Sequence, residues 1–326
     1  MKIGILGAGA VGALVGGTLS KAGADVLLFD TNREHIDAIK ENGLSIQVID
    51  QKTGQTANEQ VYVCAEYDPS KVRPCDLVIV LTKTFSTKSA ITNAAALFNA
   101  DTFVLTLQDG LNNEDTLLEF FPKNMVGVGY VTLVSNITAP GVVTARVKDD
   151  ICIHFRCIEG VTNGKLKELE ALLNKTRIKA EYANDTAKMI WTKVIMTVAT
   201  SFTSALTGLS PAQMNCIPEG RELFSRLIRE SVSVANECGM YFDPDEQVTI
   251  FLSETANRLT GFSADARALL RGELTQVEST NGAVGRIGRR YGVSTPANDM
   301  VADLVRVMQH ANQLKSSLGK ENDNEQ

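Results

Sequence analysis

The sequence predicts an α/β protein in which an amino-terminal domain on a mostly parallel sheet precedes an all-helical carboxyl-terminal domain. Three observations carry that prediction. A short apolar strand starting at the second residue empties into Gly7-Ala8-Gly9-Ala10-Val11-Gly12. Apolar runs typical of strands buried on both faces alternate with helix-like spacing through the first half of the chain. From about residue 184 onward the apolar positions follow helical spacing alone.

Residues 7–12 match the dinucleotide fingerprint GxGxxG. Gly7 permits the tight turn out of the strand, Gly9 lets backbone approach a pyrophosphate, and Gly12 lets the next helix pack closely on the sheet. The helix start that follows offers free N–H groups to phosphates. The pattern alone is weak, and a glycine turn without nucleotide is the alternative. Context argues against it: residues 10–21 read as a buried helix, residues 24–29 (ADVLLF) as a second parallel strand, and Asp30 stands where the Rossmann fold places its ribose-binding acid.

Residues 77–81 (LVIVL) and 102–107 (TFVLTL) are further buried strands. They end in polar loops at Thr82-Lys83-Thr84 and Gln108-Asp109-Gly110, at the edge where doubly wound sheets bind ligands. Residues 125–155 are β-rich and read as antiparallel additions to the same sheet. A helix over 163–174 and a strand over 178–180 complete a Rossmann domain of residues 1–183. Residues 184–318 form the helical domain, with breaks at 208–211, Pro218, 239–244, Gly261 and 292–296. The polar end, residues 319–326, is expected to be disordered.

With 326 residues and 44% apolar content there is material for two cores. The net charge of −6 argues against nucleic acid as a partner, and Arg286, Arg289 and Arg290 read as a solvated helix face. The six cysteines contain no CxxC pair and the three histidines no ligand spacing, so reduced thiols and no metal site are expected. The first strand begins at once, which speaks against a signal peptide and for a cytoplasmic location. No uninterrupted apolar stretch is read as spanning a membrane.

The opening ILGAGAVG, the strand end LTKT with Lys83, the loop LQDGLNNED, the segment MIWTKV with Lys193, and the late ELTQVESTNGAVGRIGRRYGVSTP occur in order over nearly the whole chain. Together they resemble ketopantoate reductase (2-dehydropantoate 2-reductase), within the 6-phosphogluconate dehydrogenase-like reductases. The resemblance implies a nicotinamide cofactor, NADP or NAD, and a small 2-oxo acid bound in a crevice between the domains. It implies that Lys193 is the catalytic group, an ammonium that polarises the substrate carbonyl and gives it a proton. On the helix alone, Lys193 reads rather as an exposed lysine; the match of the Trp191–Lys193 segment to the family motif reverses that. Lys83 would stand beside the dinucleotide rather than in solvent. Thr197 and Ser201, one and two turns beyond Lys193, either line the substrate site or bond their own helix carbonyls.

The chain departs from the resembled pattern. Hydroxyls at Thr197 and Ser201 replace amides, Asp109 replaces the asparagine of QNG, and Gln276 replaces the glutamate of TEID. Asp109, Gly110 and Gln276 would lie near the nicotinamide, so three outcomes stay open. The carboxylate that orients Lys193 has moved to Asp109; or Glu273, read as sharing a helical face with Gln276, supplies it; or reductase activity is lost. Asp30 favours the ribose hydroxyls of NAD over the phosphate of NADP, although Arg33 is close enough in sequence to offset a phosphate. The alternatives to a ketopantoate reductase are an NADH-dependent D-2-hydroxyacid dehydrogenase of the same family and a catalytically silent dinucleotide sensor. A helical interaction module is a third idea, and the helical half has apolar surface enough to permit a homodimer.

Overall fold

Strand β1, Lys2–Leu6, is buried from Ile3 onward and pairs in parallel with β2 (Asp25–Phe29) on one side. In the computed structural model, which describes residues 1–147, 150–159, 163–258 and 261–323, the chain divides into two units. Met1–Asp109 with Asn113–Ala187 form the first, and Gly110–Asn112 with Lys188–Gln326 the second. The crossing at 187/188 compares with the 183/184 expected from sequence.

The remaining strands of the first unit are β3 (Leu44–Asp50), β4 (Thr56–Val61), β5 (Cys64–Glu66), β6 (Leu77–Val80), β7 (Phe103–Thr106), β8 (Val126–Val131), β9 (Val134–Ala139), β10 (Val142–Val147), β11 (Ile151–Cys157) and β12 (Ile178–Tyr182). The main sheet runs β12-β11-β8-β7-β6-β1-β2-β5. Its one antiparallel pairing is β8 with β11. Ile3, Ile5, Leu28, Leu77, Ile79, Phe103 and Leu105 are fully buried, each contributing about 1.5–3 kcal/mol of transfer free energy. That core fixes the carboxyl ends of β1, β2, β6 and β7, from which the candidate residues project.

The β-rich run 125–155 is only in part a set of antiparallel additions to this sheet. Strand β8 extends it in parallel and β11 antiparallel, but β9 and β10 leave it for a four-stranded sheet of order β4-β3-β10-β9. The alternation of side chains marks these segments as strands but does not name the sheet they join: β9 pairs with β10, and β10 pairs with β3, far away in sequence.

The second unit contains the helices Thr186–Thr207, Pro211–Asn215, Pro218–Glu237, Pro244–Arg258, Ala264–Leu270, Asn281–Tyr291 and Pro296–Asp323. Several open on proline, whose missing N–H is harmless in a first turn. The first of them buries Trp191, Val194, Ile195, Val198, Ala199 and Phe202. By length and composition this helix is apolar enough to cross a membrane, contrary to the sequence reading. Threonines break the apolar run in sequence, but their hydroxyls return to helix carbonyls: Thr200 to Met196 at 3.1 Å and Thr203 to Ala199 at 2.6 Å. Of its most apolar window, 56% is buried within the protein, as in a core helix.

Two further expectations need correction. Glu273 and Gln276 do not share a helical face, because Gly272 takes φ +80° just beyond the helix Ala264–Leu270 and the chain is irregular to Gln276. The tail expected to be disordered is helical as far as Asp323, since each residue added to a nucleated helix gains a hydrogen bond; residues 324–326 lie outside the described residues. Arg286, Arg289 and Arg290 are exposed, with Arg286 on Glu278 at 2.7 Å and Arg289 on Asp299 at 2.9 Å.

Candidate active site

In the first unit, the turn after β1 is shaped by what glycine leaves out. Gly7 has φ +99°, and a Cβ there would lie 2.5 Å from the Thr82 nitrogen; a Cβ at Gly12 would collide with the Gly7 carbonyl oxygen. At Gly9, by contrast, a Cβ would meet nothing within 4 Å. The N–H groups of Gly7 and Ala8 both donate to the Phe29 carbonyl, at 2.9 and 3.2 Å, which ties the turn to the end of β2. Gly9 caps the helix Ala10–Lys21 without a side-chain hydrogen bond, and the first turn, with Ala10 and Val11, carries no acid. An open backbone, an uncapped helix start and no negative charge suit a pyrophosphate.

Asp30 follows β2, and one of its carboxylate oxygens accepts the Asn32 N–H at 2.9 Å. Asn32 in turn accepts from the His35 N–H at 3.2 Å and caps the helix Arg33–Asn42. The Arg33 guanidinium lies over the Tyr67 ring, 5.2 Å from its centroid. His35, 1% exposed, was not singled out from sequence. Its Nδ1 accepts the Gly141 N–H at 3.0 Å, so the ring proton belongs on Nε2, which is buried. Burial pushes the His35 pKa below its ordinary value, against the opposing pull of Asp30 and the Ala8 carbonyl.

Lys83 and Asp109 are both exposed, on the loops after β6 and β7. Gln108 joins those loops: its Nε2 donates to the Thr82 carbonyl and the Thr87 hydroxyl, each at 2.8 Å, and its Oε1 accepts from Thr106 at 3.0 Å. The buried Gln108 amide is therefore a brace. Asn113 Nδ2 donates to the Gln108 and Asp109 carbonyls, both at 3.1 Å.

In the second unit, Lys193, Thr197 and Ser201 occupy one stripe of the helix Thr186–Thr207. Lys193 is half-buried and Ser201 buried. The Thr197 hydroxyl donates to the Lys193 carbonyl at 2.7 Å, the second of the two readings open from sequence. Its oxygen retains a lone pair for a ligand, but its proton is committed. Gln276, half-buried, is held by its backbone: its N–H donates to Asp265 at 3.2 Å, and its carbonyl accepts from the Ser279 N–H at 3.0 Å and the Thr280 hydroxyl at 3.2 Å.

Carboxylates in this unit are distributed unexpectedly. Glu273 is exposed and gripped by Arg271 in a two-pronged pair at 2.6 and 2.7 Å. Glu278 accepts from Arg286 and Arg306, which hold its carboxyl below the usual range. The Gln276 backbone N–H is bonded by an acid, Asp265, in the first turn of the helix Ala264–Leu270. Sequence reasoning missed it, because no local periodicity links it to Gln276. Within the same unit, Leu111 is buried beside Trp191 and Val194, and its N–H donates to the Ser279 carbonyl at 2.8 Å. Gly110 has φ +103°, and a Cβ there would lie 2.6 Å from the Ser279 carbonyl oxygen.

Comparison with known proteins gives these features a family context. The profile of "Ketopantoate reductase PanE/ApbA" matches residues 3–154, and that of "Ketopantoate reductase PanE/ApbA C terminal" matches residues 185–309. A 2-dehydropantoate 2-reductase of Halobacterium salinarum is 30% identical, over 95% of this chain and 99% of its own. A PanE/ApbA family ketopantoate reductase from Ralstonia eutropha has a solved structure that superposes with a TM-score of 0.83 at 28% identity, covering 96% of this chain and all of that one. D-mandelate dehydrogenase, solved with NADH and anilino(oxo)acetate, shares the fold with a TM-score of 0.83 at 24% identity, over 96% of this chain and 100% of that one.

Proposed function

The chain belongs to the ketopantoate reductase family, and we propose that it reduces a small 2-oxo acid to the 2-hydroxy acid with a nicotinamide cofactor, ketopantoate to pantoate foremost. The observation that carries this reading is the cradle at residues 7–12, open at Gly9 over an uncapped helix start, in a chain that also sets Lys193 on a half-buried polar stripe. The cradle fits a dinucleotide, and the nicotinamide, when bound, supplies the hydride.

The chain's own residues supply the rest. The helix start binds the pyrophosphate, Asp30 accepts from ribose hydroxyls through the carboxylate oxygen not given to Asn32, and Lys83 reaches the dinucleotide from the loop after β6. The Lys193 ammonium hydrogen-bonds the substrate's carbonyl oxygen, polarises the carbonyl, and gives a proton to that oxygen as the hydride reaches the carbon. Ser201 and the free lone pair of Thr197 hold the substrate's polar groups. Asp109 orients the ammonium, with the Gln276 amide as the neutral alternative. Glu273, engaged by Arg271, is the weaker candidate for that carboxylate role.

Asp30 favours a second reading of the same chemistry, an NADH-dependent D-2-hydroxyacid dehydrogenase. With Arg33 and Lys40 drawn towards Tyr67, a phosphate on the ribose would meet a carboxylate. Oxidation of NADH and of NADPH across a panel of 2-oxo acids tests both. Turnover of ketopantoate supports the first reading and turnover only of bulkier 2-oxo acids with NADH supports the second. Nucleotide binding with no turnover across the panel points instead to a dinucleotide sensor.

A further inference from the structure

Asn281 opens the helix Asn281–Tyr291 and is completely buried. Its Nδ2 makes two donations: to the Val198 carbonyl at 3.2 Å and to Asn298 Oδ1 at 3.0 Å. Asn298 Nδ2 passes the connection on to Glu230 at 2.9 Å and to the Leu227 carbonyl at 3.2 Å. Both oxygens of Glu230 are used, because the N–H groups of Ala297 and Asn298 donate to them at 2.8 and 2.9 Å. A chain of polar groups, buried at Asn281 and Asn298 and half-buried at Glu230, thus runs from the helix Pro218–Glu237, through the starts of Pro296–Asp323 and Asn281–Tyr291, to the middle of Thr186–Thr207.

That last contact is unusual in kind. A carbonyl inside a helix already has a helical partner, so an external amide aimed at Val198 does not rescue an unsatisfied group. What it does is fix the helix in translation and rotation at one point. Val198 adjoins Thr197, whose hydroxyl holds the Lys193 carbonyl at 2.7 Å. The fixed point therefore lies little more than one turn from Lys193. Hydroxyls of Thr192, Thr197, Thr200, Thr203 and Ser204 all bond back to carbonyls in this helix, a pattern that lets a helix bend. An anchor at Val198 removes that freedom where it would displace the long lysine side chain most.

The same short turn, residues 276–281, also holds the segment next to Asp109, through the Leu111 to Ser279 hydrogen bond. We infer that Asn281 is a positioning residue for Lys193, acting through the Val198 carbonyl to set the ammonium at the height where it meets the substrate carbonyl. The inference rests on the reductase reading.

A double-mutant cycle with Lys193 tests it. Asn281→Ala should lower kcat roughly 10- to 100-fold, with KM and nucleotide Kd changed no more than about twofold, and should cost nothing further in a Lys193→Ala background. An equal loss in both backgrounds, or an unchanged kcat, overturns the proposal, because an anchor serving only stability would not depend on Lys193. Should Asn281→Ala fail to fold, Asn281→Ser, smaller but still a donor, takes its place. A second readout needs no turnover: reductive methylation of each lysine, followed by peptide mass. The rate at Lys193 should change in the Asn281 variant while that at Lys188, on the same helix, does not. If the wild type reduces no 2-oxo acid, the reductase reading fails, and this labelling still decides whether Asn281 positions Lys193; identical rates at Lys193 overturn it.

Discussion

The backbone N–H of Leu111 donates to the Ser279 carbonyl at 2.8 Å, which makes the three residues after Asp109 part of the helical unit. Asp109 and Gln276, where the resemblance implies an exchange of acid and amide, each adjoin a partner in this contact: one lies two residues before Leu111, the other three before Ser279.

Gly110 makes that contact sterically possible. Gly110→Ala places a Cβ 2.6 Å from the Ser279 carbonyl oxygen at φ +103°, so we expect a loss of about 1–3 kcal/mol in stability. Chemical denaturation measures it. Turnover should fall more than stability alone explains, because Asp109 shifts with its neighbour.

Asp109→Asn restores the amide of the family's QNG motif while removing the charge. If Asp109 orients Lys193, kcat falls on the order of 10²-fold. A rate equal to wild type transfers that role to Gln276 or Asp265, and Asp265→Asn is then the next variant to measure.

The proposed role of Asp30 is to choose the nucleotide. Asp30→Ser, which removes the carboxylate and leaves a hydroxyl, should lower the ratio of kcat/KM for NADH over NADPH by about tenfold or more. The two steady-state constants measured side by side check it.

His35 makes stability depend on pH. Burial lowers its pKa from the ordinary 6.5, so the unfolded chain binds a proton there at pH values where the folded protein does not. The contribution of neutral His35 is present above 6.5 and is lost as pH falls through the lowered folded value. Melting temperature should therefore drop more between about pH 7.5 and about pH 5.5 in the wild type than in His35→Gln.

What was legible in the sequence is what depends on neighbours in the chain. The fingerprint at residues 7–12 and the acid after β2 follow from spacing, the stripe Lys193, Thr197, Ser201 is singled out by the family resemblance, and all stand on elements that spacing predicts. The escape of β9 and β10 into a second sheet, the acid Asp265 against Gln276, and the Asn281 anchor on Val198 each join residues far apart in sequence. No periodicity encodes them. The misplacement of Glu273 has a smaller cause: one glycine at φ +80° ends a helix that composition alone would continue.

Lys193 carries the account. Steady-state kinetics of Lys193→Ala with the best 2-oxo acid, alongside nucleotide binding, is the most direct test. The account predicts that kcat falls roughly 10²- to 10⁴-fold while nucleotide Kd stays within about twofold. Turnover equal to wild type would contradict it, for the carbonyl oxygen would then take its proton from some other group.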